Sequence, residues 1–299
     1  MATLHLSAGA LCDQIEAVTG VTTAGNALGY LNAGYRRFLQ GINPQTQVPH
    51  IWSFLRPLAT LTVGSSVAGT ATSVSGTVTA TSAVFNISML GLTMTVTDYD
   101  GAGNDLTTTI TSVTSPTVVV VAATDNWASK TIAVAGNGIL DLPADYGGMV
   151  DRPVFRYDST LAWPRLQESS PEDILDHWRL PIATAEPRYY AVVPKAFAAT
   201  TGDRWELWLA PVPTTTRYMQ YRYAVKPDAL TDEADVYPLG GYDAAMKALG
   251  LAAWEADTAS GNYWQGQADI ELLRAIEHDA AWNTTASACS MANVRIGIN

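Results

Sequence analysis

The chain is poor in cysteine, in charge and in histidine. Its two cysteines, Cys12 and Cys289, stand near opposite ends of 299 residues and form no Cys-x-x-Cys pair. That excludes a disulfide framework and a zinc knuckle, and leaves one bridge between the two as an open alternative. Charged residues make up 15% of the composition, against about 25% in an ordinary globular chain. Positive charge is scarcest, with 17 Lys plus Arg against 28 Asp plus Glu and a net charge of -11. A free-standing nucleic-acid binder shows a basic patch and a high pI, so this balance disfavours that class. The histidines, His5, His50, His177 and His278, are scattered and fit no His-Glu-x-x-His pattern. No Walker loop or G-x-G-x-x-G turn occurs, and Gly64-Ser65-Ser66-Val67-Ala68-Gly69 has the wrong spacing for a nucleophile elbow. Long apolar runs are missing too. Val118 to Ala123 is about the longest, well short of the ~20 residues that span a bilayer. The first twelve residues lack a basic region and reach Asp13 before any apolar core forms, so the expectation is a protein without an export signal of its own.

Apolar residues are plentiful at 47%, enough for a packed core and contrary to disorder. The length suggests about two domains, or one with a large insertion. Ala8 to Ile42 reads as two helices broken near Thr19-Gly20. Leu28, Leu31, Tyr35 and Phe38-Leu39 make one apolar face of the second, with Thr22 or Thr23 as its N-cap. Pro44 and Pro49 end this helical stretch, and the aromatic segment His50 to Pro57 follows.

From Ala59 to about Gly138 the helix period disappears. Residues 76–81, 92–97, 106–113, 117–121 and 130–134 alternate β-branched and other residues, with Gly, Asp and Asn clusters between them. That pattern predicts five or six short antiparallel strands in a small sandwich or barrel. From Leu140 to Val225 strands are expected at Val154–Tyr157, Tyr189–Val193, Trp205–Ala210 and Tyr218–Ala224, the last two forming a hairpin around Pro211-Val212-Pro213. Ser170-Pro171-Glu172-Asp173 is a capping box that opens a helix running through Trp178 and stopping before Pro181. Two helices close the pattern, 241–257 and 263–282, separated by Gly261-Asn262. Ala245, Leu249, Ala252 and Ala253 line the first, and Ile270, Leu273, Ile276 and Ala280 the second. Residues 283–299 are small and polar and read as an extended tail.

Two groups of residues imitate metal sites. Asp98, Asp100 and Gly103 occupy calcium-loop positions, but Ala102 stands where a ligand belongs and Thr109 replaces the closing Glu. Asp-Gly and Asn-Asp between alternating strands are also hairpin-turn chemistry, the favoured reading. Asp173 and His177 lie one helical turn apart, which a plain surface pair explains. No constellation supports catalysis, so the expectation is a protein that is not an enzyme and takes no cofactor and no metal. The nine Trp and 13 Tyr suit core or subunit-interface packing.

Leu31-Asn32-Ala33-Gly34-Tyr35-Arg36-Arg37-Phe38 and then Trp52-Ser53-Phe54-Leu55 are similar to the opening of the head-to-tail adaptor proteins of tailed bacteriophages. Leu142-Pro143-Ala144-Asp145-Tyr146, Pro187-Arg188-Tyr189-Tyr190-Ala191 and Leu207 to Pro213 follow in the order that family shows. So do Tyr221-Arg222-Tyr223, Pro227 to Asp232, and Tyr237-Pro238 leading into an alanine-rich helix. The resemblance covers most of 8–58 and 140–282. It implies an α+β fold with helical N- and C-terminal segments and a central antiparallel β region, built from 1–58 and 139–282. Residues 59–138 depart from the pattern as an inserted all-β sandwich or barrel domain, and 283–299 form an extended C-terminal tail.

The resemblance further implies a structural virion protein at the head-tail junction, made in the host cytoplasm. It would form a homo-oligomeric ring of twelve copies, joined to the portal protein on one side and a tail nozzle or tail-tube protein on the other. Genome DNA would pass through without specific binding, and no membrane would be involved. The family's C-terminal extension reaches toward the portal, which makes Asn293, Val294, Arg295, Ile296 and Ile298 the expected portal contact. Val294, Ile296 and Ile298 alternate as in a strand, a pattern suited to edge addition on a neighbour's sheet. The alternative function is a carbohydrate-binding or adhesive surface module carried by the β insertion.

Overall fold

A computed structural model describes residues 6–21, 24–156, 165–180, 186–198, 202–232, 241–258 and 261–294. The expected N-cap at Thr22 or Thr23, Tyr157 in its strand, Pro181 and Tyr237-Pro238 fall outside the described residues. Helices α1 (Ala8–Thr19) and α2 (Ala24–Gln40) open the chain. Strand β1 (Leu58–Val63) precedes six short strands: β2 (Val67–Val74), β3 (Thr77–Ala80), β4 (Thr93–Val96), β5 (Leu106–Ser115), β6 (Val118–Val121) and β7 (Trp127–Val134). Then come β8 (Ile139–Asp141), β9 (Tyr146–Met149), β10 (Val154–Phe155), β11 (Gln167–Glu168) and helix α3 (Pro171–Arg179). Three long strands follow, β12 (Tyr189–Ala198), β13 (Gly202–Ala210) and β14 (Arg217–Val225), before helices α4 (Asp243–Thr258) and α5 (Tyr263–Val294). The fold is α+β, with helices at both ends of the chain. It divides into two compact units, 1–56 with 227–299, and 57–226.

The helical unit packs α1, α2, α4 and α5 around one core. Its α2 face is Ala27, Leu31, Tyr35 and Phe38, each fully or almost fully buried, which is the predicted stripe displaced by one position at its start. Phe38 stacks on Trp52 with ring centroids 4.3 Å apart, and Trp52 Nε1–H donates to the Phe38 carbonyl at 2.9 Å. Gly34 and Gly250 let α2 and α4 cross at backbone contact: a Cβ on Gly34 would stand 2.6 Å from the Gly250 nitrogen. On α5 the buried face is Ala268, Leu272, Ala275, Ile276 and Asp279. The expected face through Ile270, Leu273 and Ala280 is wrong: Ile270 and Ala280 are exposed and Leu273 only half-buried. Among the described side chains the seam includes a carboxylate, Asp279, which a reading by hydrophobicity passes over.

In the other unit, β2-β3-β6-β5-β4-β7 close into a six-stranded barrel. Alternation dictates it: in β3, β4 and β6 every second residue is buried, and Val78, Met94, Ile110, Val119, Ile132 and Val134 fill the inside. The barrel shares that core with Ile174 and Trp178 of α3 and with Ala191 and Ala210 of β12 and β13. Strand β1 belongs elsewhere, because it pairs antiparallel with β14.

The two remaining sheets are β1-β14-β10, with β9 also on β14, and β11-β12-β13-β8. Here the expected hairpin of Trp205–Ala210 with Tyr218–Ala224 is corrected. Strand β13 pairs with β12 and β8, whereas β14 pairs with β1, β9 and β10. Pro211 and Pro213 lack the N–H groups a shared ladder needs, so this segment is a crossover between sheets. Helix α3 matches its expectation, with the Ser170 hydroxyl accepting from the Asp173 N–H at 3.1 Å.

Candidate interaction surfaces

Several carboxylates in each unit are held in fixed hydrogen bonds that tie the unit together internally. Glu255 on α4 is buried and accepts the Tyr263 N–H at 2.8 Å and the Gln265 N–H at 3.0 Å. It thereby satisfies amides that the first turn of α5 cannot pair within the helix. Further along, Asp279 is 2% exposed. It accepts the Ser53 N–H at 3.0 Å, the Ser53 hydroxyl, and the His50 Nε2–H at 2.8 Å. The Arg37 guanidinium meets Asp269 at 2.6 Å between these two anchors. Helix α5 is therefore pinned to the unit from Tyr263 to Asp279, and from there its backbone continues as helix to Val294, roughly 20 Å more.

That continuation corrects the expected extended tail. Residues 283–294 are helical, and Asn293 and Val294 lie in the last turn. A helix that already exists adds residues without a new nucleus, and Ala286, Ala288 and Ala292 favour it; a segment unable to build a core can still prolong one. Of the other expected portal-contact residues, Arg295, Ile296 and Ile298 lie outside the described residues. The strand-like alternation therefore does not hold at Val294.

The calcium-like loop is a self-satisfied turn. Asp98 accepts the Gly103 N–H at 2.7 Å and the Lys130 ammonium at 3.0 Å, while Asp100 accepts the Ala102 N–H at 2.9 Å and the Asn104 amide at 2.6 Å. These bonds hold both carboxyls below the usual aspartate range, through the Gly103 amide first for Asp98 and the Asn104 side chain first for Asp100. His177 stacks on Tyr189 at 5.2 Å. Asp173 is occupied by Ser169 and Ser170. The barrel's one tryptophan, Trp127, is buried.

A surface that sequence reasoning missed lies on the outer side of β1-β14-β10. Cross-strand register places Leu58 beside Arg222, Thr60 beside Gln220 and Thr62 beside Tyr218, with Val154 beside Gln220 on the other flank. Leu58, Asp151, Arg152, Val154, Arg165 and Arg222 line a cleft there of about 440 Å³. Arg165 also borders the neighbouring cavity with Arg188. Arg152, Arg156, Arg165, Arg188 and Arg222 are all exposed. Asp151, 4.0 Å from Arg222, is the one carboxylate lining the cleft among the described residues. The sequence signal was arginine crowding between 152 and 222 in a chain otherwise short of base.

Residues 127–291 match the SU10 adaptor protein family. The chain belongs to that family. The match begins at the first residue of β7, runs through β8 to β14 with α3 and α4, and ends near the end of α5. This adaptor is a structural protein of a bacteriophage. No curated protein matches the chain. Among the described residues no helix is long and apolar enough to cross a membrane.

Proposed function

We propose that this adaptor forms a ring of twelve copies at the head-tail junction, bound to the portal above and to a tail nozzle or tail-tube protein below. Genome DNA passes through the ring without specific binding. An acidic wall suits that task, because each phosphate neutralised by Lys or Arg adds affinity, and the net charge is -11. The observation that carries the portal contact is helix α5. It is anchored at Glu255, Asp269 and Asp279 and then runs on as helix to Val294. Asn293 and Val294 on the last turn, with Arg295, Ile296 and Ile298 beyond, are the proposed portal-binding residues.

The barrel is proposed as an addition to the adaptor core. The family match takes in β7 of the barrel but not β2 to β6, and it likewise begins after α1, α2 and β1. The chain enters and leaves the barrel against one short segment: a Cβ on Gly64 would stand 2.1 Å from the Thr215 carbonyl oxygen, and one on Gly136 2.5 Å from that of Pro213. Two adjacent necks are what an inserted module requires, although its core continues into α3, β12 and β13.

The test is truncation after Trp282. With the buried seam intact to Asp279, the melting temperature is expected to stay unchanged while co-sedimentation with portal is lost. Full-strength portal attachment by the truncated chain removes α5's extension from the mechanism.

A further inference from the structure

The outer face of β1-β14-β10 gathers Arg152, Arg165 and Arg222, with Arg188 adjoining and exposed Arg156 bonded through its backbone to Tyr218 of β14, in a chain that carries 28 acids against 17 bases. We propose that this face is one half of a head-to-tail contact between copies of the chain, its guanidinium groups receiving carboxylates from the acidic surface of a second copy. The inference deepens the ring reading by assigning a face to subunit contact.

Charge selects the occupant. With five bases collected here, the rest of the molecule is more acidic than the net charge of -11 suggests. Another copy therefore presents complementary charge almost anywhere except on this same face. Two arginine faces repel, so the face does not sit on a two-fold axis opposite itself. A head-to-tail contact satisfies this, and such contacts close into rings or run into filaments. Every base on the face is arginine, whose planar fork binds a carboxylate through two parallel hydrogen bonds. A nucleic-acid backbone could supply anions as well, but the apolar rim favours protein. Leu58 is 58% exposed and Tyr218 is 53% exposed on the same outer side. Interfaces between proteins bury such residues beside arginine.

The test uses the full-length chain in sedimentation velocity at low ionic strength, with Arg152→Glu plus Arg222→Glu as the variant. Both side chains are exposed, so circular dichroism should match the wild type. Wild-type chains are expected to associate with increasing concentration, and to dissociate near 1 M salt, where the screening length falls to about 3 Å. The double variant should associate about tenfold more weakly or worse, a change of ~1.4 kcal/mol or more. Arg152→Lys plus Arg222→Lys should fall between the two. Mixing supplies the sharper outcome: the variant keeps its acidic surface, so it should cap wild-type oligomers and shorten them. Wild-type chains that stay monomeric, or a variant that associates as strongly as wild type, overturn the proposal. So does loss of duplex-DNA binding by the variant, in fluorescence anisotropy, with self-association intact. Since portal is absent from the assay, failure here leaves the portal contact of α5 untouched.

Discussion

The helical unit and the β unit use charge in opposite ways. In the helical unit carboxylates go inside: Glu255 caps the start of α5, and Asp279 ties its middle to Ser53 and His50. In the β unit acids are consumed at surface turns, as at Asp98 and Asp100, while arginines stand exposed on a sheet face. A buried charge is tolerated only with hydrogen-bond partners in place, so it fixes geometry. An exposed charge stays open to a partner from outside. The comparison separates the part of the molecule that holds α5 in place from the part that offers a charged surface.

The strongest way to break the helical side is steric. Gly34→Val is expected to destabilise it by about 3 kcal/mol or more, because backbone rather than a side chain blocks the added atoms. Chemical denaturation followed by helical circular dichroism measures this, and an unchanged midpoint contradicts the close crossing. Next in size is Asp279→Ala, which strands the Ser53 N–H and the His50 ring; about 2–3 kcal/mol is expected. Asp279→Asn should recover part of that loss in the same melting experiment.

The β side is sharpened by alkali. Burial first, then the neighbouring Tyr190 and Glu168, push the Tyr146 phenol up to about 12, and burial likewise raises Tyr221. A raised phenol value means the folded sheet holds the neutral form. Stability from this source is whole below the ordinary tyrosine value near 10 and is lost as pH rises toward about 12. The part of the phenolate absorbance that Tyr146→Phe removes should therefore appear together with loss of β-sheet signal. Titration at the ordinary value with the sheet intact speaks against it. The smallest effect expected is at the cap of α3, where Ser170→Ala should cost about 1 kcal/mol, seen as a modest drop in melting temperature.

The sequence displays the elements that carry a strong period and hides those defined by tertiary register. The α2 stripe, the α3 capping box and the α4–α5 hairpin are legible because helical spacing and cap chemistry are local. Five barrel strands are legible from alternation, yet β2 is not: Val67-Ala-Gly-Thr-Ala-Thr-Ser-Val74 has too little contrast between its faces. The seam of α5 is misread because Asp279 belongs to it. The crossover at 211–216 is misread because two adjacent strand patterns look like a hairpin whichever partners they choose. The arginine face is least legible of all. Its residues come from β14 and from the segments before β10, β11 and β12, and only the pairing of β14 with β1 and β10 brings part of it together.

The proposed ring is held to the portal by the C-terminal part of α5. An electron micrograph of isolated portal mixed with the full-length chain and, separately, with the chain cut after Trp282 tests this. An added ring with twelvefold averages is expected for the full chain, and bare portals for the truncated one. Bare portals with the full chain, or a closed twofold dimer as its only assembly, would contradict it.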